Sequence, residues 1–371
     1  MPVLFKEISS DLGLDLVQIG MVWGSGSLAA MFIVLIGGLL SDRFGVRNNM
    51  IVTCILSGLF GALRGLSNDL ASLAITFFAF CLATTVISTN MHKTASLWFS
   101  GRQLGLAQGV VSAGMGVGLT LGAMISATLI APLVGGWRHV FFLYGSVSII
   151  VGLIWLIVKW HPPQSANVVP ADPMPLNRAL SSVIRIKKVW LLGLIMFGYM
   201  ACTIGISGYL PLFLRNSGWS ASNADGALAL YTIAGAAGAI PLSFLSDRLG
   251  TRKGIFIPVL MITIICTGLL SVVGGAIVWI LVLLIGIARD GFMGLLMAMN
   301  FEIKEVERRN SGTALGLMST ISRPGSIISP PLGNSLAGIN AGLPFTCWAG
   351  FAAISLFVIL FMGKSKTKQD Y

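Results

Sequence analysis

Three charged residues lie within apolar stretches of the second half of the sequence. Arg289 and Asp290 are adjacent in LLIGIARDGFMGLL, and Arg323 lies in STISRPGSIISPPLG. A charge buried at the centre of a stretch long enough to span a bilayer costs about 2.5–3.5 kcal/mol or more, so each side chain requires a compensating partner. The three charges sum to +1. They predict an anion site in which Arg289 or Arg323 holds a carboxylate through paired hydrogen bonds.

The relative directions of these side chains suggest how they pair. Adjacent residues on a helix point about 100° apart, so Arg289 and Asp290 are not expected to face each other. Asp290 is then free to pair with Arg323 across two helices, where the arginine would set the carboxyl pKa for a proton carrier. The alternative is a structural salt bridge that only fixes helix packing.

The surrounding composition predicts an all-α polytopic membrane protein. The 371 residues are 55% hydrophobic and 10% charged, with a mean hydropathy of +0.88, whereas soluble domains carry about 25% charged residues. Four long stretches contain no charged residue, and they lack the alternation expected of barrel strands. Each is longer than the ~20 residues of a spanning helix: they lie between Asp15 and Asp42, Arg102 and Arg138, Lys188 and Arg215, and Lys253 and Arg289.

Eleven membrane spans are predicted, with a proline-rich connection at residues 161–188. Most of the 24 Lys and Arg residues fall on one side, which indicates a cytoplasmic C-terminus and accounts for the net charge of +11 without nucleic acid. The spans are 16–41, 48–66, 70–92, 104–133, 139–158, 189–214, 226–246, 254–274, 277–300, 311–333 and 343–363.

The sequence contains no pattern typical of an enzyme, a metal site or a cofactor site. The five cysteines are scattered, the three histidines have no ligand spacing, and no nucleophile–base pair is visible. The glycine-rich string GVVSAGMGVGLTLGAMISA lies inside a charge-free stretch, so phosphate binding is disfavoured. Its Gly109, Gly118 and Gly122 are expected to permit close helix packing.

An internal repeat divides the chain into two halves. The string SDRFGVR at residues 41–47 returns as SDRLGTR at 246–252, and Arg102-x-x-Gly-x-Ala-x-Gly returns from Arg309. Both copies have the same orientation, which predicts parallel helical bundles that rock around a central site. The predicted organisation is an N-terminal bundle at 1–160, a cytoplasmic linker at 161–188 and a C-terminal bundle at 189–371.

The repeated loop resembles the signature loop of the major facilitator superfamily. This resemblance implies a twelve-helix, 6+6 fold in which the two loops join the bundles on the cytoplasmic side. No counterpart of the family's first helix is found, which indicates a truncated or mis-started chain; a genuine eleven-helix protein is the alternative. The residues that carry the resemblance are Gly38, Asp42, Arg43, Gly45 and Arg47 in the first loop, and Asp247, Arg248, Gly250 and Arg252 in the second.

The expected function is secondary transport of a small organic anion, coupled to protons or another ion, by alternating access. The stretch Trp98–Gly118 is similar to monocarboxylate-type branches of the superfamily. An exporter of drug-like compounds is the alternative, but Ala123 replaces the proline of the family's antiporter motif. An inactive truncated product also stays open. We expect a monomer in the bilayer of a bacterial inner membrane, with no nucleic-acid partner.

Overall fold

The computed structural model describes residues 1–99, 101–158, 181–249, 252–301, 303 and 311–362, and its long elements there are all helices. The first half contains α1 Phe5–Leu12, α2 Leu16–Phe44, α3 Val46–Leu63, α4 Leu70–Trp98, α5 Gly101–Ile125, α6 Ala131–Val134 and α7 Trp137–Ile157. The second half contains α8 Lys187–Asn216, α9 Ala221–Leu249, α10 Arg252–Leu269, α11 Ile277–Phe301, α12 Ser311–Leu336 and α13 Leu343–Phe361. A π-helical turn, Ser126–Ile130, joins α5 to α6.

These helices confirm the predicted all-α membrane architecture. Within the described ranges, nine helices are long and apolar enough to cross a membrane. Helix α10 provides a shorter apolar segment, Lys253–Leu269, and α12 carries three internal prolines. Each of the eleven predicted spans therefore has a helical counterpart.

Local sequence signals set several of the helix ends. Asp15 and Asp69 cap α2 and α4, and each accepts a hydrogen bond from a backbone N–H three residues ahead. The bonds from Ser72 hold the pKa of Asp69 below its ordinary value. Gly45 lies between α2 and α3 with a φ of +80°, a conformation that glycine adopts without steric cost.

The helices divide into two compact units, and unit 1 comprises Met1–Val169 with Ser220–Asp225. In this unit α3 packs on α4 and α7, and α2 packs on α4. Gly58 and Gly145 permit close contact between α3 and α7, because a Cβ on either residue would meet the opposing backbone within 3 Å. At one end of α7, Asp11 of α1 accepts hydrogen bonds from Trp137 and Arg138.

Unit 2 comprises Pro170–Trp219 with Gly226–Tyr371. Helix α8 is its centre and packs on both α12 and α13. Close contacts again occur at glycines: Gly325 of α12 lies against Phe197, and Gly333 lies against Trp348. The Trp348 indole also donates to the Ser329 carbonyl across 3.1 Å. These contacts hold α12, the helix that carries Arg323, against its neighbours.

The predicted packing role of the α5 glycines is not seen in the described part of the structure. A Cβ placed at Gly109, Gly118 or Gly122 would have no atom within 4 Å. Neighbouring residues such as Val117 and Leu119 are also more than half exposed. The sequence shows where the small residues of α5 lie, but it does not specify whether their face of the helix points toward a neighbouring helix.

Candidate functional site

Arg289 and Asp290 form a two-point ion pair on α11. Arg289 Nε donates to Asp290 Oδ1 across 2.8 Å, and Arg289 Nη2 donates to Oδ2 across 2.9 Å. The expectation that these adjacent side chains would not meet is wrong. Their Cβ directions diverge, but the long arginine side chain folds back and brings its planar donor pair onto the carboxylate.

Helix α9 completes the surroundings of this ion pair. The Arg289 guanidinium carbon lies 4.9 Å from the centroid of the Tyr231 ring, within the range of a cation–π contact. Arg289 Nη2 also donates to the Thr232 carbonyl across 3.4 Å. Gly235 provides the space for the pair, because a Cβ there would lie 2.8 Å from Asp290 Oδ2 and 2.9 Å from Arg289 Nη2.

Two buried tyrosines lie in the same unit as the pair. Tyr199 stacks on Phe292 with ring centroids 3.5 Å apart, and Tyr231 contacts Arg289 through its ring. Both residues are almost fully buried, and neither hydroxyl has a hydrogen bond of standard geometry within the described ranges. The polar side chains beside these hydroxyls are Thr263 for Tyr199 and Arg289 for Tyr231.

Arg323 differs from Arg289 in its charge balance. It is half-buried on α12, and the described residues provide it with neither a hydrogen bond nor an ion pair. Asp290 pairs with Arg289, so the expected Asp290–Arg323 pair is wrong. The net charge of +1 over the three residues is therefore concentrated on Arg323.

Arg64, a buried cation of unit 1, is compensated by aromatic rings. Its guanidinium carbon lies 3.9 Å from the ring centroid of Phe80 and 4.4 Å from that of Phe141. Its Nε donates to the Gly61 carbonyl. These contacts give Arg64 a structural explanation that Arg323 lacks.

The signature loops are described only in part. Arg47 donates to the carbonyls of Trp155 and Leu156 at the end of α7, across 3.3 and 2.7 Å. In the second half, Lys253 donates to the Ile359 carbonyl near the end of α13 across 3.0 Å. Each half thus places a basic side chain on the carbonyls at a helix C-terminus, where positive charge is favourable.

The roles predicted for the other residues of the two signature loops stay predictions. Arg248 is exposed. Gly38 lies within α2. The side chains of Asp42, Arg43, Asp247 and Arg252, and the position of Gly250, lie outside what the structure describes. Sequence reasoning missed Gly235 as a site residue; the signal was the small-residue run AGAAGA in a stretch expected to pack on another helix. It also missed Lys253 as the partner of a helix terminus.

Comparison with known families and structures agrees with this architecture. The sequence profile of the Major Facilitator Superfamily matches residues 1–330 and 216–370. Among solved structures, a bacterial homologue of the human lysosomal transporter Spinster superposes with a TM-score of 0.78 and 16% sequence identity. That superposition covers 97% of this chain and 90% of the other.

Curated relatives include two bacterial transporters. The 3-(3-hydroxy-phenyl)propionate transporter of Escherichia coli is 28% identical over 265 residues, and the match covers 71% of this chain and 62% of that protein. The hexuronate transporter of Bacillus subtilis is 23% identical over 356 residues, covering 88% and 80% of the two chains. The match to the first relative thus spans less than two thirds of its length.

Proposed function

Because this chain belongs to the Major Facilitator Superfamily and is a membrane transporter rather than an enzyme, we propose that it carries a small organic carboxylate. The relatives that carry hydroxyphenylpropionate and hexuronate support an anionic substrate. The two bundles of a parallel-repeat transporter rock to expose a binding site alternately to each side. The proposed location is a bacterial inner membrane, with the C-terminus in the cytoplasm.

The observation that carries the proposal is the unequal charge balance of the two arginines. Arg289 is occupied by Asp290 at 2.8 and 2.9 Å, whereas Arg323 has no acidic partner among the described residues. A half-buried guanidinium within α12, one of the predicted spans, favours a bound anion. The substrate carboxylate is therefore assigned to Arg323, which offers two parallel donors.

Proton coupling is assigned to the Arg289–Asp290 pair. The Asp290 side chain is 35% exposed, and its proposed role requires that this exposed face meet an aqueous pathway. Protonation of Asp290 would remove the negative partner of Arg289 and leave a second unneutralised guanidinium in the unit. Binding of a substrate anion and of a proton would then favour each other through charge balance.

Uptake into proteoliposomes tests this proposal. A panel of carboxylates, including 3-(3-hydroxyphenyl)propionate and glucuronate, is compared with a panel of cationic drug-like compounds, with and without an inward proton gradient. We expect gradient-stimulated uptake of at least one carboxylate. Transport confined to the cationic compounds would contradict the assignment of an anionic substrate. Carboxylate uptake at the same rate with and without the proton gradient would contradict only the assignment of proton coupling.

A further inference from the structure

A cluster of basic residues lies where unit 2 begins its first long helix. The sequence SSVIRIKKVW at residues 181–190, called here the basic turn, contains Arg185, Lys187 and Lys188 and no Asp or Glu. All three basic side chains are exposed. Among the described residues, the side chains of Arg185 and Lys187 have no ion-pair partner. The basic turn is therefore a local excess of positive charge on the surface of unit 2.

The backbone of the basic turn is held against the core of unit 2. Val183 and Val189 are buried, and Ile186 packs on the same apolar cluster. The Ile186 N–H donates to the Val183 carbonyl, and the Val189 N–H donates to the Ile186 carbonyl, each across 3.0 Å. The Trp190 indole donates to the Ile184 carbonyl across 2.8 Å. Because this backbone is already ordered, binding at its exposed side costs little conformational entropy.

Two apolar side chains of the basic turn are exposed together with the cations. Ile184 and Trp190 each have 43% of their surface exposed. The boundary between lipid headgroups and acyl chains accommodates both an aliphatic side chain and an indole, whereas a small anion in solution makes no use of either. This combination of basic and apolar side chains matches the headgroup layer of a membrane better than it matches a soluble anion.

The length of α8 places the basic turn at the depth of the headgroups. The helix contains 30 residues and extends about 45 Å, whereas the hydrocarbon core of a bilayer is about 30 Å thick. Between Lys188 and Arg215 the helix carries no charged residue, so this stretch fills the hydrocarbon core. Lys187 and Lys188 then lie beyond the core, within reach of lipid phosphates.

We propose that the basic turn binds an anionic phospholipid. The lipid phosphate lies among Arg185, Lys187 and Lys188, and the acyl chains begin beside Ile184 and Trp190. Each basic residue at an anionic membrane surface strengthens binding by about fivefold, so the basic turn selects phosphatidylglycerol over the zwitterionic phosphatidylcholine. The lipid site uses none of the residues assigned to the carboxylate or the proton, so the failure of either proposal leaves the other standing.

Fluorescence quenching by brominated lipids at the basic turn tests the proposal. In the full-length protein with its five native cysteines replaced by alanine, Ser181→Cys carries a bimane label at an exposed position. The protein is reconstituted in phosphatidylcholine with increasing amounts of brominated phosphatidylglycerol or brominated phosphatidylcholine. We expect phosphatidylglycerol to bind beside this label about tenfold or more tightly than phosphatidylcholine. A label at Ser217→Cys, exposed just beyond the other end of α8, should report a preference below about twofold.

Removal of the three charges identifies the side chains that bind the lipid. The triple variant Arg185→Gln, Lys187→Gln, Lys188→Gln should lower the preference at the Ser181→Cys label to below about twofold. Its unfolding temperature in phosphatidylcholine should not change, because the three side chains are exposed. The matched triple variant Arg185→Lys, Lys187→Arg, Lys188→Arg keeps the charges and should keep the preference.

A soluble competitor separates a lipid site from a site for free phosphate. Inorganic phosphate should displace phosphatidylglycerol from the Ser181→Cys label no more than potassium chloride of equal ionic strength does. Stronger displacement by phosphate would show a site for the free anion and overturn the lipid assignment. Equal quenching by the two brominated lipids, or an unchanged preference in the triple Gln variant, would also overturn the proposal.

Discussion

Replacing Gly235 by alanine perturbs the Arg289–Asp290 pair without touching either charged residue. The new Cβ would lie 2.8 Å from Asp290 Oδ2, 2.9 Å from Arg289 Nη2 and 3.0 Å from Arg289 Nε. Ordinary non-bonded contacts lie at about 3.5 Å or more, so the pair must shift by at least about 0.5 Å. A shift of that size in either side chain relative to the other would lengthen or misalign the two parallel hydrogen bonds.

The expected magnitude follows from two opposing effects. A lost hydrogen bond between charged groups costs about 1.5–3 kcal/mol, while alanine stabilises a helix interior by up to about 1 kcal/mol relative to glycine. The net loss of stability is about 0.5–2 kcal/mol. Because the pair is also the proposed proton site, proton-driven uptake should fall by about tenfold, the effect of about 1.4 kcal/mol.

A matched glycine in the same unit provides the control. A Cβ at Gly268 of α10 would meet only Ala349 Cβ, at 4.0 Å, so Gly268→Ala should gain helix stability and leave uptake unchanged. Thermal unfolding in detergent and initial uptake rates in proteoliposomes are measured for both variants. If Gly235→Ala unfolds and transports like Gly268→Ala, the ion pair is not confined by α9 as the structure indicates.

Three further substitutions test other contacts. Gly333→Ala places a Cβ 2.5 Å from the Trp348 indole and should lower the unfolding free energy by about 1–3 kcal/mol. The control Gly350→Ala has no atom within 4 Å of its new Cβ and should leave that free energy unchanged. Equal melting temperatures of the two variants would contradict the packing of Gly333 on Trp348. Arg47→Ala removes two hydrogen bonds to the end of α7 and should cost about 1–2 kcal/mol, which urea denaturation of the purified protein would detect. Asp11→Asn weakens a partly exposed pair with Arg138 and should cost less than about 1 kcal/mol, so a larger loss would show that α1 contributes more to unit 1 than this contact.

The fold was predictable where the relevant information is local or repeated. The charge-free lengths specified the spans, and the repeated SDR-x-G-x-R string indicated parallel halves. In each case a short-range rule of chain geometry or solvation was sufficient.

The site was predictable only as a set of residue types. Arg289, Asp290 and Arg323 were identified because charges are rare in spanning helices, but their pairing depends on a side-chain conformation that helical spacing does not specify. The role of Gly235 depends on the register between α9 and α11.

The most direct test of the transport mechanism compares Arg323→Gln with wild type for uptake of the best carboxylate substrate. The exposed Lys6 provides Lys6→Gln as a control for the loss of one positive charge. Loss of charge-assisted hydrogen bonds worth about 1.5–3 kcal/mol should raise the KM of Arg323→Gln by about 10–150-fold, while Lys6→Gln behaves as wild type. An unchanged KM in Arg323→Gln would contradict the assignment of the substrate carboxylate to this residue.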